Sequence, residues 1–392
     1  MSSDRRLHIV LFGATGYTGT LVADYLARSL TPIRWAIAGR NADKLEAVKA
    51  ELPSGPAGAP EVIVADANDP AALAQMAAET RVVISTVGPY ICYGEPLVKA
   101  CAEAGTDYVD LTGEPAFVDR MRARYHDTAQ RSGAKIVNSC GFDSIPHDLG
   151  VLFTVESLRR RMNDSERDQT PIDVEGFVRF KGHFSGGTWH SALTIMAEPI
   201  PSRREPVEGA RRVGSVKPKV SYRKDLRLWA VPMPTIDPQV VLESARLLDS
   251  YGPDFRYGHY LGLRNLHQVL GLGVGVAAVY GMAQLKPTRE LLKKLKAPGD
   301  GPTEAQREEA WFEVTFQGKA GTHRSTCVVA GGDPGYGDTA KMLAESALCL
   351  ALDREKLPPH CGVVPSAAAI GMPLIPRLRL AGISFEERPQ AG

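Results

Sequence analysis

The sequence predicts an α/β protein in which a doubly wound parallel sheet is followed by a second, α+β domain carrying a mostly antiparallel sheet. Three observations predict it. Short β-branched and aliphatic runs alternate with helix-period segments over residues 7–138, which calls for right-handed crossovers and parallel strands. That alternation stops past Gly150. With 392 residues the chain also exceeds one ordinary core, so two domains are expected, 1–150 and 151–334.

The first strand, 7–12 (LHIVLF), ends in glycines at 13, 16 and 19 and passes directly into the helix-period residues Leu21, Val22 and Leu26. Strand, turn and helix in this order form a Rossmann-type dinucleotide turn. Its first glycine permits the tight turn, its second the approach of a pyrophosphate, and its third close packing of helix on strand. The anion then lies on the N–H groups at the helix start. Gly13, Thr15, Gly16, Tyr17, Thr18 and Gly19 are therefore phosphate-side candidates. The second strand, 35–38, ends in Gly39 and Arg40, and Lys44 follows at the head of a helix. A carboxylate at this strand end holds a free ribose 2′-hydroxyl, whereas arginine accommodates a 2′-phosphate. Arg40, with Lys44 beside it, thus points to NADP(H).

The third strand, 61–65, closes on Asp66, which either borders the adenine pocket or caps the next helix. A helix over 70–78 leads to the strand 81–86 and then to Val87, Gly88, Pro89 and Tyr90. Helices over 96–104 and 117–132 flank a strand at 106–111, and the strand 134–138 opens into 139–146. Ligands of such sheets bind outside the carboxyl ends of the strands. Thr86, Val87, Gly88, Pro89, Cys140 and Gly141 accordingly join the cofactor candidates. Tyr90, Tyr93, Asp143 and His147 lie in two of these loops and are the candidate proton donors, with Tyr93 ranked first.

GATGYTG at 13–19, AGR at 38–40, the run from Val87 to Glu114 and CGFDSIP at 140–146 resemble saccharopine dehydrogenase-like oxidoreductases. Within that group the chain is similar to the trans-acting enoyl reductases that serve polyketide synthases in making long-chain cell-envelope lipids. GGDPGY at 331–336, TAKMLAESALCLA at 339–351 and the run 362–386 extend the resemblance to the far end, with 203–224 left out. It implies that the segment 335–392 packs back on the first domain and that a glycine-rich turn at 182–188 faces the cofactor. It further implies NADPH-dependent reduction of a C=C bond in an acyl or polyketide intermediate; relatives in the family reduce imines.

Other chemistries are argued against by absence. The net charge of +1 gives no global field for nucleic acid. Six separated cysteines and nine scattered histidines show no C-x-x-C, H-x-x-x-H or H-E-x-x-H spacing, so neither a disulfide framework nor a metal is expected. No tyrosine has a lysine four residues on, and no G-x-S-x-G elbow occurs. The leading residues lack an apolar signal core, so a cytoplasmic location is expected. Hydride transfer from a bound nicotinamide remains, and its competitor is a non-catalytic NADP-binding scaffold at a membrane.

In the second half, strands at 174–181, 311–317 and 323–330 and a helix at 339–350 are expected. Residues 203–227 carry nine Lys/Arg against three Asp/Glu, which reads either as a solvated loop or as a docking surface for an acidic acyl carrier protein. The uncharged run 269–285 falls short of the ~20 residues of a membrane span and is followed by a basic stretch to 296. Together, 269–296 reads either as a peripheral membrane element or as a buried or homodimer-interface helix. Catalysis is expected where 86–93, 140–144 and 186–188 meet, between the two domains.

Overall fold

The computed structural model describes residues 5–182, 211–284, 286–294 and 302–389. The expected glycine turn at 186–188 and residues 203–210 of the basic run lie outside the described residues. Contacts divide the chain into two units, Met1–Ile145 with Gly335–Gly382, and Pro146–Pro334 with Ile383–Gly392.

The first unit holds the parallel sheet. Its strands are β1 (Leu7–Phe12), β2 (Trp35–Gly39), β3 (Glu61–Val64), β4 (Thr80–Ser85), β5 (Asp107–Asp110) and β6 (Lys135–Val137), in the order β3-β2-β1-β4-β5-β6. A short strand, Gly362–Val363, adds beyond β6. The central strands are buried on both faces, as their nearly unbroken apolar sequences require, whereas the edge strand β3 stays partly exposed. The crossovers are α1 (Tyr17–Ala27), α2 (Ala42–Glu51), α3 (Pro70–Glu79), α4 (Tyr90–Tyr93) with α5 (Glu95–Ala104), and α6 (Pro115–Ser132). Strand order reverses between β1 and β4, and the register there, Leu11 with Ile84 and Phe12 with Ser85, brings Gly13 alongside Thr86. The helix Gly337–Leu352, from the far end of the chain, packs on α1, β1, β4 and β5.

The second unit begins with α7 (Ile145–Arg159) and holds the second sheet. Its strands are β7 (Ile172–Lys181), β8 (Arg212–Ser215), β9 (Ser221–Arg223), β10 (Leu228–Pro232), β11 (Asp254–Leu263), β12 (Trp311–Ala320) and β13 (His323–Gly331). β12 pairs antiparallel with both β7 and β13, β10 with both β9 and β11, while β7 and β8 run parallel to β11. The sheet is thus mostly antiparallel. Ser384–Arg388 forms its edge against β13, with Thr326 opposite Arg388. The C-terminal segment expected on the first domain is therefore divided: 335–382 belongs to the first unit, and the last strand follows the open edge of β13.

Two regions of the second unit differ from a simple loop reading. Within the basic run, Arg211 pairs with Asp249 at 2.5 Å, while Arg223 reaches Glu175 and Gln317 at 2.7 Å each and stacks over Phe177. Arg223 thus ties strands of the sheet to one another, and Arg211 ties the start of β8 to the end of the helix Asp237–Leu247 and the turn after it. The apolar run forms the helix Leu266–Gln284, in which Ala283 alone is buried, and Leu270 and Val274 are 64% and 72% exposed.

Candidate cofactor and active site

The dinucleotide turn follows the glycine spacing. Gly13 turns the chain out of β1 at φ +93°, a conformation side chains resist. A Cβ there would stand 2.7 Å from both Thr86 Oγ1 and Val87 Cγ2, so the ends of β1 and β4 close together only on a glycine. At Gly19 a Cβ would collide with the carbonyl oxygen of Gly13, which is why α1 can lie against the turn. Thr86 Oγ1 ties the two strand ends by donating to Gly13 O at 3.0 Å. Gly16 is the N-cap of α1; it offers no side-chain cap, and the first turn contains no acid. Nothing on the cap therefore competes with an anion for the leading N–H groups, beside which Thr15 and Gly16 lie exposed. Tyr17 and Thr18 open the helix, and the Tyr17 ring stands edge-on to Tyr336 at 5.0 Å.

The next strand end carries the charge. Asn41 caps α2 by accepting from Lys44 N at 2.9 Å. The side chains of Arg40 and Lys44 are exposed and make no ion pair among the described residues, leaving two cations for a 2′-phosphate. Asp66 does not cap α3. Asp69 does so, accepting from Ala71 N and Ala72 N, because it stands immediately before the helix. Asp66 instead accepts from Asn68 N at 2.8 Å and closes the turn after β3.

At the ends of β4, β5 and β6 the polar groups form a tied net. The buried Glu114 accepts from Tyr90 N at 3.1 Å and Ile91 N at 2.8 Å, so its carboxylate holds the start of α4, just after Thr86, Val87, Gly88 and Pro89. Asp110 accepts from Ser139 N, Thr112 N and Asn138 Nδ2 at 2.7–3.0 Å. Desolvation pushes its carboxyl up to about 6 against the pull of those donors. Ser139 is held at φ +62°, with its hydroxyl donating to Thr112 O at 2.6 Å. Such a backbone persists where its surroundings over-determine it. Cys140 and Gly141 are placed in consequence: Cys140 N donates to Asp110 O at 2.6 Å, and the next amide but one, Phe142 N, to Thr339 Oγ1 at 3.0 Å.

The candidate proton donors separate. Tyr90 is buried, its hydroxyl donates to Ser85 O at 3.0 Å and accepts from Leu111 N at 3.2 Å, and burial raises it far above its ordinary value. A phenol so committed braces the loop and is poorly suited to give up a proton. Tyr93 is 45% exposed. Asp143 also keeps solvent contact, with a carboxylate oxygen 3.4 Å from where a Cβ of Gly113 would lie. The protein around it is nonetheless close enough that desolvation raises the carboxyl to about 6. His147 is placed elsewhere, buried in the second unit.

Residues 9–137 match the family model described as Saccharopine dehydrogenase NADP binding domain. The chain is 38% identical over 418 residues, 98% of each chain, to a Mycobacterium tuberculosis protein provisionally named a trans-acting enoyl reductase. It is 33% identical over 435 residues, again 98% of each chain, to the saccharopine dehydrogenase-like oxidoreductase of Mus musculus. The chain belongs to the saccharopine dehydrogenase-like oxidoreductases. It is an NADP-dependent oxidoreductase, and the cradle, the uncapped helix start and the two cations fit that cofactor. A trans-acting enoyl reductase of Mycobacterium tuberculosis (strain H37Rv) is 35% identical over 97% of each chain. The fold is shared with apo saccharopine dehydrogenase (L-Glu forming) from Saccharomyces cerevisiae, at a TM-score of 0.56 and 14% identity, covering 98% of this chain and 100% of that one.

In this oxidoreductase the residues that shape the site most firmly were not singled out by motif. Glu114 and Asp110 were legible only as acids near a strand end. Thr339 arrives from a helix almost 200 positions later in the chain. Histidine spacing likewise argued against a metal, yet the fold of the second unit gathers His147, Asp237 and His259. His147 Nε2 lies 3.3 Å from Asp237 Oδ1 and His259 Nε2 lies 3.5 Å from Asp237 Oδ2. Burial lowers both imidazoles, His259 to about 4, so both are neutral at pH 7.

Proposed function

We propose that this oxidoreductase is a trans-acting enoyl reductase, reducing the C=C bond of an α,β-unsaturated acyl or polyketide thioester on an acyl carrier protein in lipid biosynthesis. The observation that carries the reading is end-to-end similarity to proteins of that name. When bound, NADPH supplies the hydride that adds to the substrate's β carbon. The turn at 13–19 and the cations Arg40 and Lys44 fix the dinucleotide. Gly88, where a Cβ would meet nothing nearer than 3.7 Å, keeps the space beyond β4 open to a flat ring. Asp143, or Tyr93 in its place, gives a proton to the α carbon as the enolate collapses. A carboxyl raised to about 6 is partly protonated near neutrality, and its solvent contact lets it recover the proton.

Purified chain is given NADPH with a carrier-bound enoyl thioester and, separately, with a panel of imines. NADPH oxidation by the thioester, abolished in Gly88→Val while NADPH still binds, is the expected result. Turnover of imines alone would replace the substrate class, and binding without turnover in either panel would mark a scaffold. The exposure of Leu266–Gln284 supports a further part of the reading: a cytoplasmic protein whose 269–296 region rests on the inner membrane face. Flotation with anionic liposomes, weakening as salt rises, tests it; dimerisation without flotation would make the helix a homodimer interface instead.

A further inference from the structure

In the second unit three side chains of metal-ligand type converge where the reductase reading uses none of them. His147 stands in the first turn of α7, Asp237 opens the helix Asp237–Leu247, and His259 lies in the middle of β11. None is more than 6% exposed. We infer a structural site for one divalent transition-metal ion, with zinc the best match, held by His147 Nε2, His259 Nε2 and the carboxylate of Asp237.

Bonds of about 2.0–2.1 Å at tetrahedral angles place zinc ligand atoms about 3.3–3.4 Å apart. Here the two imidazole-to-carboxylate separations are 3.3 and 3.5 Å, and one ligand atom from each residue can be chosen so that all lie within 4.8 Å. Two imidazoles sharing such an ion through Nε2 bring their ring centres to about 5 Å, and these stand 5.0 Å apart. Edge-to-face rings without an ion reach the same distance. The deciding feature is therefore that both Nε2 atoms turn toward one carboxylate, each to its own oxygen.

The groups behind the ligands are those that orient a metal site. His259 Nδ1 lies 3.0 Å from Tyr257 Oη, and Thr235 Oγ1 donates to Asp237 Oδ2. Two imidazoles and one carboxylate suit zinc over calcium or magnesium, which take mainly oxygen ligands. Full burial leaves no position open to substrate. The ion's part is to fasten α7, the helix Asp237–Leu247 and β11 to one another.

The test is the metal content of the full chain, purified without chelator and loaded with zinc, beside His147→Gln and His259→Gln. About one zinc per chain is expected in the wild type and little in either variant, with a chelator lowering the wild-type Tm by several degrees and added zinc restoring it. Wild-type chain that takes up no zinc, with a Tm unmoved by zinc or chelator, would overturn the site and leave a metal-free hydrogen-bonded cluster. So would zinc retained in both variants. If the variants do not fold, cobalt-loaded wild type decides: visible ligand-field absorption supports the site, and its absence removes it.

Discussion

Two helices of similar length, each with long apolar runs, have opposite surroundings. Gly337–Leu352 in the first unit buries thirteen of its sixteen residues, whereas the nineteen-residue Leu266–Gln284 in the second buries Ala283 alone. The buried helix is the more polar of the two. Its polar groups are tied: Glu345 accepts from Tyr25 Oη at 2.8 Å and pairs with Arg377 at 3.1 Å, Thr339 accepts from Phe142 N, and Ser346 donates to Met342 O. The exposed helix has no charged residue at all. Burial therefore follows from what packs against a helix and satisfies its polar groups, and not from apolar content alone.

The contrast is broken most forcefully at Leu348, which is 1% exposed. Leu348→Asp puts an unpaired carboxylate into the core and should cost more than about 4 kcal/mol, unfolding the first unit. Leu343→Ala, which leaves a cavity, should cost about 2–5 kcal/mol. Urea unfolding reads both, and a wild-type midpoint in either would mean that this helix is not the core of its unit.

The distinction between tied and untied groups also separates Arg377, held by Glu345 and Asp353, from the exposed Arg40. Arg40→Ala should weaken NADP(H) binding by about 1.5–3 kcal/mol, the loss of a charge-assisted contact, and leave NAD(H) binding unchanged. Titration with both cofactors checks it. Equal weakening of the two would assign Arg40 to the fold and not to the 2′-phosphate.

Asp110 and Asp143 sharpen the same distinction, since both carboxyls are raised to about 6 but only Asp110 is tied on every side. Asp143 acts as an acid only when protonated, so kcat should be level below about pH 6 and fall about tenfold per pH unit above it. Asp143→Asn should lower kcat and remove that limb. For Asp110 the folded value lies above the ordinary 3.8, so its contribution to stability is complete below that value and is lost as pH rises through about 6. Asp110→Asn should flatten that stretch of the stability–pH curve, and an unchanged curve would show that Asp110 does not titrate there.

The smallest effect is expected on the exposed helix. Leu270→Lys or Val274→Lys should change stability by no more than about 0.5 kcal/mol while altering association with anionic liposomes. A loss of several kcal/mol would erase the contrast and make this helix part of a core.

The sequence by itself determined the dinucleotide turn and the parallel sheet, because each is written in residues that touch along a few consecutive positions, and it pointed to NADP(H) as the cofactor. Gly13 and Gly19 act within one strand–turn–helix unit, and Arg40 stands one residue beyond β2. The loops 86–93 and 140–144 were likewise legible as strand ends. Only the tertiary structure decided what each residue in them does: Tyr90 lies three positions from Tyr93, yet it is locked by Ser85 and Leu111 while Tyr93 reaches solvent. The hold of Glu114 on α4, the strained Ser139 on Asp110, and the strand Ser384–Arg388 on the edge of β13 were set the same way. His147, Asp237 and His259 meet because α7, a helix start and β11 pack together, and Leu266–Gln284 is left exposed although it touches β10 and β11. The physical reason is one of range: backbone geometry and periodicity act over a turn or a strand, whereas burial, hydrogen-bond satisfaction and charge balance depend on which distant segments arrive at the same place.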